Sequence, residues 1–414
     1  MNKIVVVGAS VAGLTAVETL RREGHRGPIT VIGEEPHLPY DRPPLSKQFL
    51  AGTWDSQRVQ LRERPRLDLL DAEWRLGVRA ESLNMAAKGV QLTDGEMCSY
   101  DGLIIATGVY PRSLPGHHGL GGVHTLRTID DAARLRSELR AHRRLVVVGA
   151  GFLGVEVAAV AREAGLRVAL VDPLPTPMFR QVGHEVGERI AQIHAGHGVD
   201  VRCGTSVERL VGAADRVTHV ALSEGTCLPA DLVVIAIGSV PAVGWLAESG
   251  LHLTDGVDCN RYCLATPEIA AAGDVASWAH DDLGQIRMEH RTNATEQAMT
   301  AARNLLGQRI PFRPIPYFWS DQYGTKLQVF GRTGPDLAFR RLIDHAKTDV
   351  WCGVYLTGDR IVGALAWSMP FAARTLRSAV ANQARLSDLI EYLSGQVPSS
   401  RPERGFQRVR GSSP

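Results

Sequence analysis

Residues 4–13 read I-V-V-V-G-A-S-V-A-G, and residues 145–154 read L-V-V-V-G-A-G-F-L-G. Each begins as a β-branched run that predicts a buried strand. Each then makes a small-residue turn (Gly8, Ser10 and Gly13; Gly149, Gly151 and Gly154) and opens an alanine-rich helical pattern. Small residues let the backbone reverse tightly, approach a pyrophosphate, and pack helix against strand. The anion then rests on the free N–H groups of the helix N-terminus. An acid on the next strand should hold a ribose. Glu34 follows Gly13 by 21 positions, after I-T-V-I-G, and Asp172 follows Gly154 by 18, after V-A-L-V. Two such units on one chain imply two dinucleotides, a flavin and a nicotinamide exchanging electrons.

The wider composition agrees with a cofactor-bearing enzyme. A chain of 414 residues predicts about two to three domains. With 44% hydrophobic and 22% charged residues it can bury several cores, and its net charge of +2 argues against a dedicated nucleic-acid partner. No apolar run reaches the roughly 18–20 residues of a membrane span. Met1-Asn2-Lys3 leads directly into a strand, so no signal peptide is expected. Cys98, Cys203, Cys227, Cys259, Cys263 and Cys352 lack zinc or disulfide spacing, which points to a reducing cytoplasm. Charge is uneven: from Arg309 onward there are 15 Lys/Arg against 8 Asp/Glu, so this end is +7 and the remainder −5. Such asymmetry suggests an acidic partner or merely an arginine-rich tail.

Both glycine units run to an apolar strand ending in glycine, Y-D-G-L-I-I-A-T-G (100–108) and A-D-L-V-V-I-A-I-G (230–238). A further segment, A-A-A-G-D-V-A (270–276), reads as a strand ending in Gly-Asp before a helix. From Phe312 alternation takes over, with D-V-W-C-G-V-Y-L and I-V-G-A-L-A-W joined by T-G-D-R as a hairpin, then one helix over roughly 370–395. The expected class is therefore α/β, with two Rossmann-like domains and a C-terminal α+β domain. Its divisions are a flavin domain (1–112 and 238–312) split around a nicotinamide domain (113–237), the C-terminal domain (313–398), and a basic tail (399–414).

At this point the chain resembles the FAD-dependent NADH:ferredoxin reductases of oxygenase systems, within the two-dinucleotide-domain flavoprotein superfamily. The resemblance spans nearly the whole chain. It rests on P-Y-D-R-P-P-L-S-K (39–47), L-R-T-I-D-D (126–131), G-V-E-V-A (154–158), A-A-G-D-V-A (271–276), R-M-E-H-R-T-N-A-T-E-Q-A (287–298) and P-Y-F-W-S-D-Q-Y (316–323). Two positions depart from it: Ser10 replaces the middle glycine of the first turn, and Arg291 stands where many relatives carry an aromatic.

The resemblance assigns roles that the residues alone leave open. It puts Arg42 near the flavin pyrophosphate and Lys47 beside the flavin ring, where a cation favours the reduced, anionic form; alone, they read as cations on a proline-stiffened turn. It puts Glu156 near the nicotinamide amide and paired with Lys47. Unaided, Glu156 reads as a first-turn charge favoured by the helix dipole. Asp172 would take the two ribose hydroxyls and repel a 2′-phosphate, favouring NADH, or be a solvated strand-end acid. Asp274 would bind the ribityl chain, or be an ordinary helix cap. Thr107 and Gly108 form a close turn beside the cofactors, Arg127 belongs to the flavin side, and Gly238 to the nicotinamide side. Trp319 would lie between flavin and ferredoxin, or be a packed core residue. By their nearness in sequence to the Trp319 segment, not by the resemblance, Arg291, Arg309 and Arg313 would supply a basic rim for an acidic iron–sulfur ferredoxin. No metal site is expected, and a monomer or weak homodimer is.

An absence matters as much. The stretch after the first ribose acid, Glu35 to Leu50, contains no cysteine. Thiol–disulfide chemistry there lacks its nucleophile. The alternatives are an NADH oxidase or general flavin reductase and, in another class, a signalling flavoprotein whose assembly responds to nucleotide.

Overall fold

A computed structural model describes residues 1–114, 119–345 and 350–396. The basic tail and part of the proline-rich link at 111–122 lie outside the described residues.

The first β-branched run forms the strand Ile4–Val7, with every side chain buried. It is central in a six-stranded sheet ordered Leu264–Thr266, Ile269–Ala271, Gly102–Ile105, Ile4–Val7, Ile29–Gly33 and Glu73–Leu76. Val7 pairs in parallel with Ile32 on one side and Ile105 on the other. The helix Val11–Arg22 lies over this strand because Gly13 allows it: a Cβ there would sit 1.8 Å from the Gly8 carbonyl oxygen. A second helix, Arg291–Leu305, packs beside it; small side chains on both, including Ala12, Ala16, Ala298 and Ala301, let the axes approach within one core.

The second run, Arg144–Val148, is likewise central in a parallel five-stranded sheet ordered Asp200–Cys203, Arg167–Asp172, Arg144–Val148, Leu232–Ile235 and Val123–His124. The chain passes between the two sheets twice, and the crossing segments Val109–Pro111 and Ser239–Pro241 pair antiparallel. The first domain is thus split around the second.

The C-terminal domain is an antiparallel five-stranded sheet ordered Tyr317–Gln322, Thr325–Gly331, Arg360–Trp367, Val350–Thr357 and Ala338–His345. Alternation in Arg360–Trp367 divides its faces. Leu365 and Trp367 join the core of the second domain, while Ala364 and Ala366 pack under the domain's own helices. The hairpin expected around T-G-D-R is present.

Two expectations about local structure are corrected. The single helix over 370–395 is two, Pro370–Ala381 and Leu386–Gln396; Gln383, at φ 45°, breaks the repeat. Gly273-Asp274 precedes no helix: the chain turns there into the strand Ala276–His280. Among the described residues, no helix is long and apolar enough to cross a membrane.

Candidate active site: two dinucleotide turns joined by a buried ion pair

The first glycine turn opens onto a cavity of about 550 Å³, lined by Gly8, Ser10, Glu34, Glu35, Tyr40, Arg42, Thr107, Tyr110 and Arg127 among others. That volume lies within the roughly 300–1,000 Å³ of cofactor pockets. Gly8 takes φ +119°, and a Cβ there would strike the Ala106 carbonyl 2.1 Å away. Ser10 is the N-cap of the following helix at φ −99°, an extended conformation open to any residue. The serine therefore fits this turn without strain. Gly13 lies beneath the turn as a packing glycine.

Charged groups from distant segments close over this cavity. Arg42 gives Nη2 to Glu35 Oε1 at 2.7 Å, and Nη1 to the Tyr40 hydroxyl and the Arg127 carbonyl. Its Nε is buried without a hydrogen-bond partner among the described residues. Burial opposes the Arg42 charge, but Tyr40 and Glu35 outweigh it and raise its pKa. Arg127 reaches Asp274 at 3.3 Å; burial and the neighbouring Arg42 lower its pKa against that pairing. Gly108 turns at φ +72° beside the Arg127 guanidinium, and the Thr107 hydroxyl donates to the Ala242 carbonyl at 3.0 Å. Glu34 accepts from the Tyr110 hydroxyl at 2.9 Å; burial, with Glu34 beside it, pushes that phenol up to about 12. A cavity of mixed lining that includes an arginine with an orphaned N–H and a strand-end acid suits an ADP-containing cofactor such as FAD.

The second turn differs. Gly149 again needs its left-handed φ of +101°, and a Cβ on Gly154 would lie 1.8 Å from the Gly149 carbonyl oxygen. Gly151 is the helix N-cap at φ −74°, and a Cβ there would meet no protein atom within 4 Å. Its outer side is open. The Asp172 carboxylate is buried rather than solvated, and accepts from the Ala150 N–H at 2.6 Å and the Leu174 N–H at 2.8 Å. It braces the turn and retains lone pairs for a ribose. Gly238, at φ +96°, follows the strand Leu232–Ile235 and faces Arg112.

Glu156 joins the two halves. It sits in the second turn of the helix Phe152–Glu163, not the first, and is 4% exposed. The helix-end reading therefore fails: this carboxylate is buried and paired. Its Oε2 accepts from Lys47 Nζ at 2.9 Å and Ser46 Oγ at 2.5 Å, while Oε1 accepts from Ser320 Oγ at 2.9 Å. Lys47 follows the 3-10 turn Pro43–Ser46 and is only 8% exposed, so the stiff proline segment delivers its ammonium into the protein. A buried pair of this kind demands hydrogen bonds to its remaining lone pairs, and the two serines supply them.

Trp319 lies in the strand Tyr317–Gln322, half-buried, on the face opposite Phe318, Ser320 and Gln322. Its ring stacks on Tyr317 at 5.8 Å, and Lys326 lies over it at 5.9 Å. Of the three expected rim cations, Arg291 is bound to Asp41 and Arg313 to Asp281. Arg309 is exposed, without an ion-pair partner among the described residues. Burial raises the thiols of Cys203 and Cys259 to about 12, far from nucleophilic at neutral pH. Among the described residues no acid, histidine and cysteine cluster could hold a metal.

Sequence reading missed Glu35, Tyr40, Ser46 and Ser320. Two signals were available. Ser46 precedes Lys47 within the proline segment, and alternation in F-W-S-D-Q puts Ser320 on the buried face with Phe318.

Comparison with known proteins agrees with this architecture. Residues 2–298 match the family model "Pyridine nucleotide-disulphide oxidoreductase" and residues 317–389 match "Reductase C-terminal". Rhodocoxin reductase of Rhodococcus erythropolis is 36% identical over 390 residues, covering 93% of this chain and 90% of that protein. Putidaredoxin reductase of Pseudomonas putida is 35% identical, covering 87% of each. The crystal structure of a covalent putidaredoxin reductase–putidaredoxin complex superposes with a TM-score of 0.90 at 31% identity, over 96% of this chain and 99% of that one.

Proposed function

The chain belongs to the pyridine nucleotide–disulphide oxidoreductase family, in its branch of FAD-dependent ferredoxin–NAD(P)+ reductases, and from that premise we propose that it moves electrons from NADH through FAD to a small, acidic 2Fe–2S ferredoxin serving an oxygenase. When bound, FAD accepts a hydride and can release its two electrons singly, which suits a one-electron acceptor. What the chain's own residues add is position and charge.

The observation that carries this reading is the buried Lys47–Glu156 pair, which ties the first domain to the second where the two cofactors must meet. Gly8, Ser10, Gly13, Glu34, Arg42, Thr107, Gly108, Arg127 and Asp274 hold FAD. Gly149, Gly151, Gly154, Asp172 and Gly238 hold NADH. Lys47 offers positive charge to the flavin, and Glu156 keeps that ammonium oriented. With high-pKa thiols and no cysteine in residues 35–50, thiol chemistry is not the exit for electrons. Trp319 is that exit. It is partly exposed and carries Lys326 on its ring, and Arg309, without an ion-pair partner among the described residues, adds a cation for salt-dependent steering of an acidic partner. The six cysteines are free, in keeping with a cytoplasmic location.

Stopped flow on the two half-reactions tests the proposal. In Trp319→Ala, reduction by NADH should stay within about twofold of wild type while ferredoxin reduction slows about tenfold or more, with the gap changing with salt. A pure packing role would instead impair both together and release flavin. Equally fast cytochrome c reduction with and without ferredoxin, in the unmodified protein, would favour a general flavin reductase.

A further inference from the structure

The Glu156 carboxylate is the end of a longer buried chain of hydrogen bonds. Ser320 Oγ, which donates to Glu156 Oε1, accepts from Gln322 Nε2 at 3.1 Å. Gln322 Oε1 lies 3.0 Å from His194 Nε2, and His194 Nδ1 lies 2.9 Å from the Tyr323 hydroxyl. Ser320, Gln322 and His194 are 0%, 2% and 0% exposed. Three of the four links cross between domains: Glu156 and His194 belong to the second, and Ser320, Gln322 and Tyr323 to the third.

The chemistry of the groups fixes its polarity. An amide nitrogen only donates and an amide oxygen only accepts, so His194 must carry a proton on Nε2, and with that one proton it accepts from Tyr323 on Nδ1. That is a neutral imidazole, and burial, which pulls His194 down to about 4, keeps it so at pH 7. Every donor therefore points toward Glu156. Its two oxygens are shared out, Oε2 to Ser46 and Lys47 of the first domain, Oε1 to Ser320 of the third.

Docking alone does not call for this. The same junction has apolar contacts, such as Phe152 against Phe318 at 4.6 Å, and burying the polar side chains of Glu156, Ser320, Gln322 and His194 costs more than extending that packing. A fully satisfied polar chain adds fixed orientation.

We propose that Ser320, backed by Gln322, His194 and Tyr323, is a positioning residue for hydride delivery, fixing the Glu156 carboxylate and through it the Lys47 ammonium. This rests on the role of the Lys47–Glu156 pair proposed above. Without the Ser320 hydroxyl, Oε1 loses its donor and the carboxylate plane is free to rotate. Tyr323 acts at the far end by holding the His194 tautomer, its ring kept in place by stacking on His197 at 3.7 Å and 7°.

The test uses the FAD-loaded enzyme, NADH, and a 2Fe–2S ferredoxin. In Ser320→Ala, reduction by NADH should slow about tenfold while reoxidation by ferredoxin stays within about twofold. The two-electron potential of the bound flavin should move negative, because a displaced ammonium stabilises the reduced form less. In a Glu156→Gln background, adding Ser320→Ala should change nothing further, since the hydroxyl acts through that carboxylate. An unchanged reductive rate overturns the proposal. So does equal slowing of both limbs with flavin loss, or a fully additive effect in the double variant. Where Ser320→Ala does not fold, Tyr323→Phe decides: a reductive rate lower by about two- to threefold supports the chain, and an unchanged one overturns it. Failure of the functional reading itself looks different, because wild type would then not be reduced by NADH at all.

Discussion

The two glycine turns share a backbone and differ in everything built around it. At both, a strand, a left-handed glycine and a helix-packing glycine repeat almost atom for atom: a Cβ on Gly13 or Gly154 would lie the same 1.8 Å from the carbonyl oxygen of Gly8 or Gly149. At the first, Arg42 and Arg127, the latter paired with Asp274, arrive from other segments and enclose a cavity. At the second, the turn is braced from below by Asp172 and left open beyond Gly151. Even the matching N-cap positions differ, with a side chain on Ser10 and none on Gly151. The same local physics thus serves two tasks. Under the proposed function, the enclosed site would keep a resident cofactor and the open one would exchange its cofactor at every turnover.

Substituting glycines on both sides of that comparison gives the largest effects. Gly13→Ala and Gly154→Ala should each cost about 3 kcal/mol or more, because backbone must move to admit the methyl. Gly151→Ser, which copies Ser10 into the open turn, should leave thermal stability unchanged while raising the KM for NADH. Equal tolerance at all three positions in a melting experiment would break the comparison.

Acid should act next, through the anchor that holds the second domain to the third. Burial, with a lesser repulsion from His197, lowers the pKa of His194 to about 4, against a favourable hydrogen bond to Gln322. Below its ordinary value near 6.5 the unfolded chain gains a proton that the folded chain refuses. This stability is therefore complete above about pH 6.5 and drains away as pH falls toward 4, by about 2 kcal/mol between pH 7 and 5. His290, also lowered to about 4 by burial, adds to the same trend. Urea midpoints should fall accordingly at pH 5, and less steeply in His194→Gln; identical slopes would remove His194 from the account.

The smallest effect concerns the choice of nucleotide at the open site. Wild type should prefer NADH over NADPH by about tenfold in kcat/KM, about 1.4 kcal/mol. Asp172→Asn should narrow that gap while keeping an acceptor for one of the braced N–H groups. Equal use of both nucleotides by wild type would contradict the ribose role of Asp172.

Much of this was legible in the sequence because it is local. Turn geometry needs glycine at fixed spacing, and buried parallel strands need β-branched runs, so both nucleotide units and the split of the first around the second could be read directly. What was not legible depends on contacts between segments far apart in sequence. From its own position Glu156 looked like a dipole-stabilised helix end; the family resemblance paired it with Lys47, 109 positions away, and only the tertiary fold adds Ser320, 164 away. Gly273-Asp274 looked like a helix start, since a strand followed by Gly-Asp suits a cap equally well. Here the next residues pair as a strand with Gly256–Cys259 instead. Arg291 and Arg313 looked like free rim charges until Asp41 and Asp281 were found beside them.

The central claim is that one chain pairs a resident flavin at its enclosed turn with an exchangeable nicotinamide at its open one. Exhaustive dialysis of the purified protein, followed by acid precipitation and chromatography of the supernatant, tests this most directly. The account predicts FAD in about equal amount to the protein and almost no nicotinamide nucleotide. Flavin left on the precipitate, FMN in the supernatant, or nicotinamide retained in amounts comparable to FAD would contradict it.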